Sequence, residues 1–268
     1  MRSKLETITA ILALALAGCA HALRQSPPLE QVTGRAEGHT PSDVERLLAQ
    51  AEAQVASREP SAVRQAAETF SIAAAADPSR IEGLIGSIRA RVWITEHDAD
   101  AAARQEAATR AVQAAQWCAK IAPKNPACDY WLGAALGVQA RERPSTGLSA
   151  LPRIEQAFGN AARKAPELDE AGPDRALALF YLRAPGWPAG PGDPEQGLAH
   201  ARRAIELRPA YPPNLLALGE ALAVTGDTEG SRKAYARSLE LARSREKTGD
   251  KEAAEWIEEA KKHLSPSP

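Results

Sequence analysis

Residues 214–241 read NLLALGEALAVTGDTEGSRKAYARSLEL. Leu215, Leu218 and Leu222 recur at helical spacing and share a face with Gly219. Gly226-Asp227 marks a turn. Ser231, Tyr235 and Ser238 then form a second stripe that runs small, aromatic, small. Gly219 removes a side chain where the paired helix has to come near, so the stretch reads as a closely packed helical hairpin. Composition agrees. Aromatic residues are only 4% of the chain and Ala is abundant, which favours close helices, because Ala is the best helix former and strands want branched or aromatic side chains.

Upstream, four helix ends share one punctuation. FSIAAAADP, QWCAKIAP, FGNAARKAP and ARRAIELRP stop at Pro78, Pro123, Pro166 and Pro209, at intervals of 45, 43 and 43 residues. A small residue stands five positions before each proline (Ala73, Cys118, Ala161, Ala204), and Phe70, Ala115, Phe158 or Ala201 stands eight before. The small residue lets another helix approach, and the proline ends the helix because it lacks an N–H and disfavours α conformation in the residue before it. YARSLELAR is a fifth copy without the proline, its Arg243 lying 34 residues after Pro209. A fixed period of this kind means a solenoid rather than separate domains.

The hairpin of residues 214–241 resembles the tetratricopeptide repeat (TPR), and the likeness covers about 41–244. It implies an all-α, TPR-like solenoid over 41–268 with about 10–11 helices. Trp256, Ile257, Ala260 and Leu264 form one stripe within 247–264, read as a capping helix. The three upstream periods exceed the usual 34 residues. The surplus is expected between the helices of a pair, as RERPSTGLSALP in one unit and as FYLRAPGWPAGPGDPEQG, residues 180–197, in the next. Asp193-Pro194 restarts a helix, Thr40-Pro41, Glu59-Pro60 and Asn125-Pro126 place Pro in a first turn, and Ser42-x-x-Glu45 reads as a capping box.

Residues 1–18 read as an export signal: Arg2 and Lys4, then the apolar ITAILALALA, too short to span a bilayer. LAGC, ending at Cys19, resembles the lipobox of bacterial lipoproteins, the alternative being an ordinary signal with a chance Cys. The resemblance implies cleavage before Cys19, lipid on that residue and attachment to the periplasmic side of a bacterial membrane. Ala20 leans the expectation toward the outer membrane. Residues 19–40 then form the lipidated Cys and a flexible tether. Only Cys118 and Cys128 remain; in an oxidising compartment they would pair as a disulfide across a helix–turn–helix junction, or stay as two buried thiols.

No catalytic constellation stands out. HExxH, GxSxG and GxxxxGK[ST] do not occur, so no enzyme is expected, and no cofactor or metal. HDAD at 97–100 reads as a helix cap rather than a metal site. A net charge of −1 gives no electrostatic footprint for nucleic acid. A solenoid groove suits binding instead, and its candidate lining residues are Tyr130, Trp131, Gln139, Asp174, Arg175, Tyr181, Trp187 and Glu220. Trp131 holds the large inner position of its repeat and reads as core. Trp187, between Gly186 and Pro188, reads as a contact or a lid over the groove.

Residues 171–214, AGPDRALALFYLRAPGWPAGPGDPEQGLAHARRAIELRPAYPPN, are similar to the TPR-type T-component lipoproteins (TatT) of tripartite, TRAP-type transporters. The likeness rests on Gly172 and Arg175, Phe180-Tyr181, Pro185, Gly192-Asp193, Ala204, Pro209 and Tyr211, with CDYWLGAALGVQA in support. It implies a homotrimer with a pore through each protomer, beside a periplasmic solute-binding protein, handling a small apolar or carboxylate ligand. Arg175 and the nearby aromatics would line that passage, so replacing Arg175 or Trp187 would weaken binding without unfolding. The alternative is a TPR adaptor for outer-membrane, pilus or secretion machinery assembly.

Overall fold

A computed structural model gives the architecture, and it describes Pro28 and residues 40–265. The expected leader, Cys19 and nearly all of the tether lie outside the described residues. Eleven helices are present among them: α1 (Pro41–Ala56), α2 (Pro60–Ala76), α3 (Ile81–His97), α4 (Ala101–Ile121), α5 (Pro126–Glu142), α6 (Pro144–Lys164), α7 (Leu168–Arg183), α8 (Pro194–Leu207), α9 (Pro212–Val224), α10 (Thr228–Lys247) and α11 (Ala253–Leu264). No strand occurs among the described residues; Gly186 and Gly192 form one isolated bridge.

Side-chain caps set several starts. Asp100, Asn125, Asp193 and Asp227 each accept backbone N–H groups of the helix they precede, and Pro opens α1, α2, α5, α6, α8 and α9. The capping box of α1 is not Ser42 with Glu45. Thr40 accepts from the Asp43 amide and Asp43 accepts from the Thr40 amide, because the helix begins one residue earlier, at Pro41. At the other end, Gly226 takes φ +91, as its place in the α9–α10 turn requires.

Successive helices pack as antiparallel neighbours, and each odd-numbered helix also touches the next odd one, from α1 to α11. The odd helices therefore form one wall of a hairpin solenoid and the even helices the other. The core between them is rich in Ala, with Phe70, Ile88, Val112, Leu136, Ile154 and Phe158 filling the larger spaces. Arg91 is a buried exception, held by Ala67 O, Ser71, Ser87 and Glu68. Cys118 at the end of α4 and Cys128 at the start of α5 are bonded, with Cα atoms 5.3 Å apart. α11 covers the last hairpin through Ala253, Ile257 and Ala260.

The long periods are filled in two ways. RERPSTGLSALP is not an irregular insert: α6 starts at Pro144 and runs for 21 residues, carrying Pro152 inside it. A proline there forfeits one intrahelical hydrogen bond, which the packed helix tolerates. Residues 184–193 are a true loop between α7 and α8. It is tied at its base by Asp193 N–H to Tyr181 O (2.9 Å) and Gly192 N–H to Pro185 O (2.8 Å).

Close packing makes Gly219 a sharp test of the hairpin. A Cβ there would lie 2.8 Å from the ring of Tyr235, itself 3% exposed. Gly219→Ala is expected to lose about 1–3 kcal/mol by overpacking, lowering the thermal midpoint by several degrees in a denaturation scan.

Candidate functional site

The odd helices curve around a cavity of about 940 Å³. Its walls are apolar: Val92 and Trp93 from α3, Trp131, Ala134 and Val138 from α5, Ile154 and Phe158 from α6, and Leu179 and Phe180 from α7. Charged residues ring it in pairs. Arg89 meets Glu52, Arg141 meets Glu96 at 2.8 Å and Arg183 meets Glu220 at 2.6 Å, each pair joining two successive odd helices.

The two ends of the solenoid meet across this cavity. Arg58, just after α1, pairs with Glu252 at the start of α11. Lys251 Nζ donates to Ser57 O (3.1 Å), and His97 Nε2 lies 3.1 Å from the Glu255 carboxylate. These contacts convert an open groove into a ring. They are polar and part-exposed, so each stabilises by about 0–1 kcal/mol.

One end of the cavity holds an unusual piece of backbone. Asp169, Glu170 and Ala171 have φ of 49, 55 and 63, a left-handed turn built without glycine. Arg175 Nη1 donates to Glu170 O (3.1 Å) and Asn214 Oδ1 (2.9 Å), and Nη2 donates to Asp169 Oδ2 (2.9 Å). Asn214 Nδ2 donates in turn to Glu170 O (3.0 Å). The Tyr130 hydroxyl donates to Asp169 Oδ2 at 2.5 Å. Gly172 makes room for it, since a Cβ there would sit 2.5 Å from that oxygen. Burial pulls the Arg175 guanidinium down, but Tyr130 and Asp169 outweigh it and hold the group above its ordinary value. Burial, then Asp169, pushes the Tyr130 phenol well up. Tyr211 continues the wall, its ring flanked by Arg175 and Arg245 at 5.2 and 5.3 Å.

Two solved structures are similar to this arrangement. TTC0263, a thermophilic TPR protein of Thermus thermophilus, matches at a TM-score of 0.61 and 18% identity, over 81% of this chain and 98% of that one. A MamA RS-1 ArsTM double mutant matches at a TM-score of 0.47 and 17% identity, over 75% of this chain and 96% of that one. The chain has a TPR-like fold. No family model matches it, and no curated protein matches it in sequence.

In TPR terms the odd helices are the groove-lining helices, joined here by the even helix α6, and the structure divides the candidate residues among several places. Tyr130 and Arg175 do line the cavity, but both are spent on the left-handed turn. Trp131, read as core, lines the cavity instead, because α5 is apolar on several faces and its sequence does not single out the groove side. Gln139 is buried and does not line it. Glu220 stands behind the rim, accepting from Arg183. Asp174 and Tyr181 face a second, smaller cavity. Trp187 is 90% exposed at the loop tip, and the loop contributes only Ala184 and Pro185 to the central wall, so Trp187 is no lid in this conformation. Sequence reading missed Trp93, Leu151 and Phe158, whose apolar character looked like ordinary core. Among the described residues no cluster of three or more metal-ligating side chains occurs, and no helix is long and apolar enough to cross a membrane.

All four tyrosines of the chain are pushed up by burial, Tyr181 and Tyr235 to about 12. A phenol raised in the folded state adds stability that is complete below its unfolded value near 10 and is lost as pH rises through the folded value. Phenolate absorbance is therefore expected to stay flat through pH ~10 while the circular dichroism is native, and to rise only above it. A tyrosine titrating near 10 in the native protein would contradict this environment.

Proposed function

We propose that the chain is a periplasmic, lipid-anchored TPR scaffold. In this reading it holds a small, largely apolar ligand in the central cavity and works beside a solute-binding protein of a tripartite, TRAP-type transport system. The cavity carries the reading. A groove that takes an extended peptide is open along its length, whereas this one is closed on itself by the Arg58–Glu252, Lys251–Ser57 and His97–Glu255 contacts. Its volume of about 940 Å³ falls at the upper end of the range for small-molecule pockets, roughly 300–1,000 Å³. The rim cations and acids neutralise one another, so an apolar body rather than net charge is what the wall selects. Support for the transporter setting is the resemblance of residues 171–214 to TatT proteins, which also suggests a homotrimer. The anchor rests on the lipobox at Cys19, with the outer membrane as the proposed location.

Gly137 offers a clean test, because it lines the cavity and nothing lies within 4 Å of where its Cβ would be. Gly137→Phe is expected to intrude on the cavity and obstruct its ligand without loss of thermal stability. Purified from native membranes, the wild type should carry a small molecule and a solute-binding protein detectable by mass spectrometry, with the small molecule absent from Gly137→Phe. Cys19→Ser should lose incorporated palmitate. A monomer that instead captures unfolded outer-membrane segments would replace this reading with the adaptor.

A further inference from the structure

A second cavity, about 380 Å³, lies between α6, α7 and α8. It shares no wall residue with the central one: Asp174, Leu177 and Tyr181 of α7 face it, while Arg175, Leu179 and Phe180 face the other. Asp174 is fully buried. Its Oδ1 accepts from His200 Nδ1 at 2.8 Å, but its Oδ2 has no hydrogen-bond partner. The nearby cation is Arg203, whose Nε stands 3.5 Å from Oδ2, too far for a good bond, on a side chain 58% exposed. A buried carboxylate oxygen left unpaired is costly, and native proteins keep such a group where something else satisfies it.

The surroundings say what that is. Asp174 lies in the first turn of the right-handed part of α7, where the helix dipole favours its negative charge. Glu155 adds a second carboxylate, oriented by the Tyr181 hydroxyl, which donates to Oε1 at 2.7 Å. Tyr181 is in turn stacked on His200, with ring centroids 5.7 Å apart, so the wall is fixed. Two guanidinium groups, Arg163 and Arg203, complete the lining. Acceptors and cations stand at one small cavity with an apolar side made by Leu177 and Pro152.

We propose that this cavity binds a free α-amino acid. The ammonium group displaces Arg203 and donates to Asp174 Oδ2 and Glu155. The released Arg203, with Arg163, takes the carboxylate, and the side chain lies along Leu177 and Tyr181. The site is independent of the central cavity and of the transport reading.

The test is calorimetric titration of the folded protein with the standard L-amino acids, one at a time, and, for any that bind, with the matched amine and the matched carboxylate. At least one amino acid is expected to bind saturably and more tightly than either fragment. Asp174→Asn, which keeps the volume and an acceptor for His200, should abolish that binding. Arg203→Ala, at an exposed position that leaves the fold intact, should weaken the amino acid about tenfold or more while sparing the matched amine. Gly137→Phe should bind as the wild type does. The proposal is overturned if no amino acid binds, if binding survives both Asp174→Asn and Arg203→Ala, or if Gly137→Phe abolishes it. Should Asp174→Asn not fold, the Arg203→Ala contrast between amino acid and amine decides.

Discussion

The guanidinium of Arg175 holds the longest run of left-handed non-glycine backbone among the described residues. Three successive non-glycine residues in the left-handed region cost about 1–2 kcal/mol each. The turn persists because it is gripped from three directions: Arg175 from within α7, Asn214 from α9 and Tyr130 from α5. The bonds made by the charged Arg175 and Asp169 are worth about 1.5–3 kcal/mol apiece and the neutral Asn214 bond about 0.5–1.5 kcal/mol, together enough to offset the strain. The turn in turn sets α7, and α7 is the wall between the two cavities. One face, with Arg175, Leu179 and Phe180, looks into the ring, and the other, with Asp174 and Tyr181, looks outward toward α8.

The ring itself is closed by weaker forces. Between the two ends of the solenoid there is no helix-on-helix packing among the described residues, only Arg58, Lys251 and His97 and their partners. Part-exposed ion pairs are screened by salt and replaced cheaply by water. The walls of the ring are thus packed helix on helix, and its seam is held by polar contacts. The Arg–Glu pairs between successive odd helices add register more than stability, because solvent reaches both partners of each.

Much of the architecture was legible in the sequence because local chemistry wrote it. Four helix-ending prolines, a small residue five positions before each and the Gly226-Asp227 turn gave the hairpins and their order. Asp193 and Asn125 marked helix starts that the backbone honours. What local chemistry did not write was missed. Nothing in LDEAG announces a left-handed turn, since its stability comes from Tyr130, Arg175 and Asn214, up to 45 positions away by residue number. RERPSTGLSALP read as an insert between helices, but α6 runs through most of it from Pro144. The site was harder still: α5 is apolar on several faces, so its spacing did not show that Trp131 lines the cavity beside Tyr130. Arg175, expected at the passage, does stand in its wall, with its guanidinium bonded to the left-handed turn.

Equilibrium denaturation of Arg175→Gln, compared with the exposed Arg237→Gln, tests that role most directly. If Arg175 braces the turn, its loss costs about 1.5–3 kcal/mol, the scale of a hydrogen bond to a charged group, while Arg237→Gln stays within about 0.5 kcal/mol of the wild type. An Arg175→Gln protein as stable as the wild type, defective only in ligand binding, would contradict it.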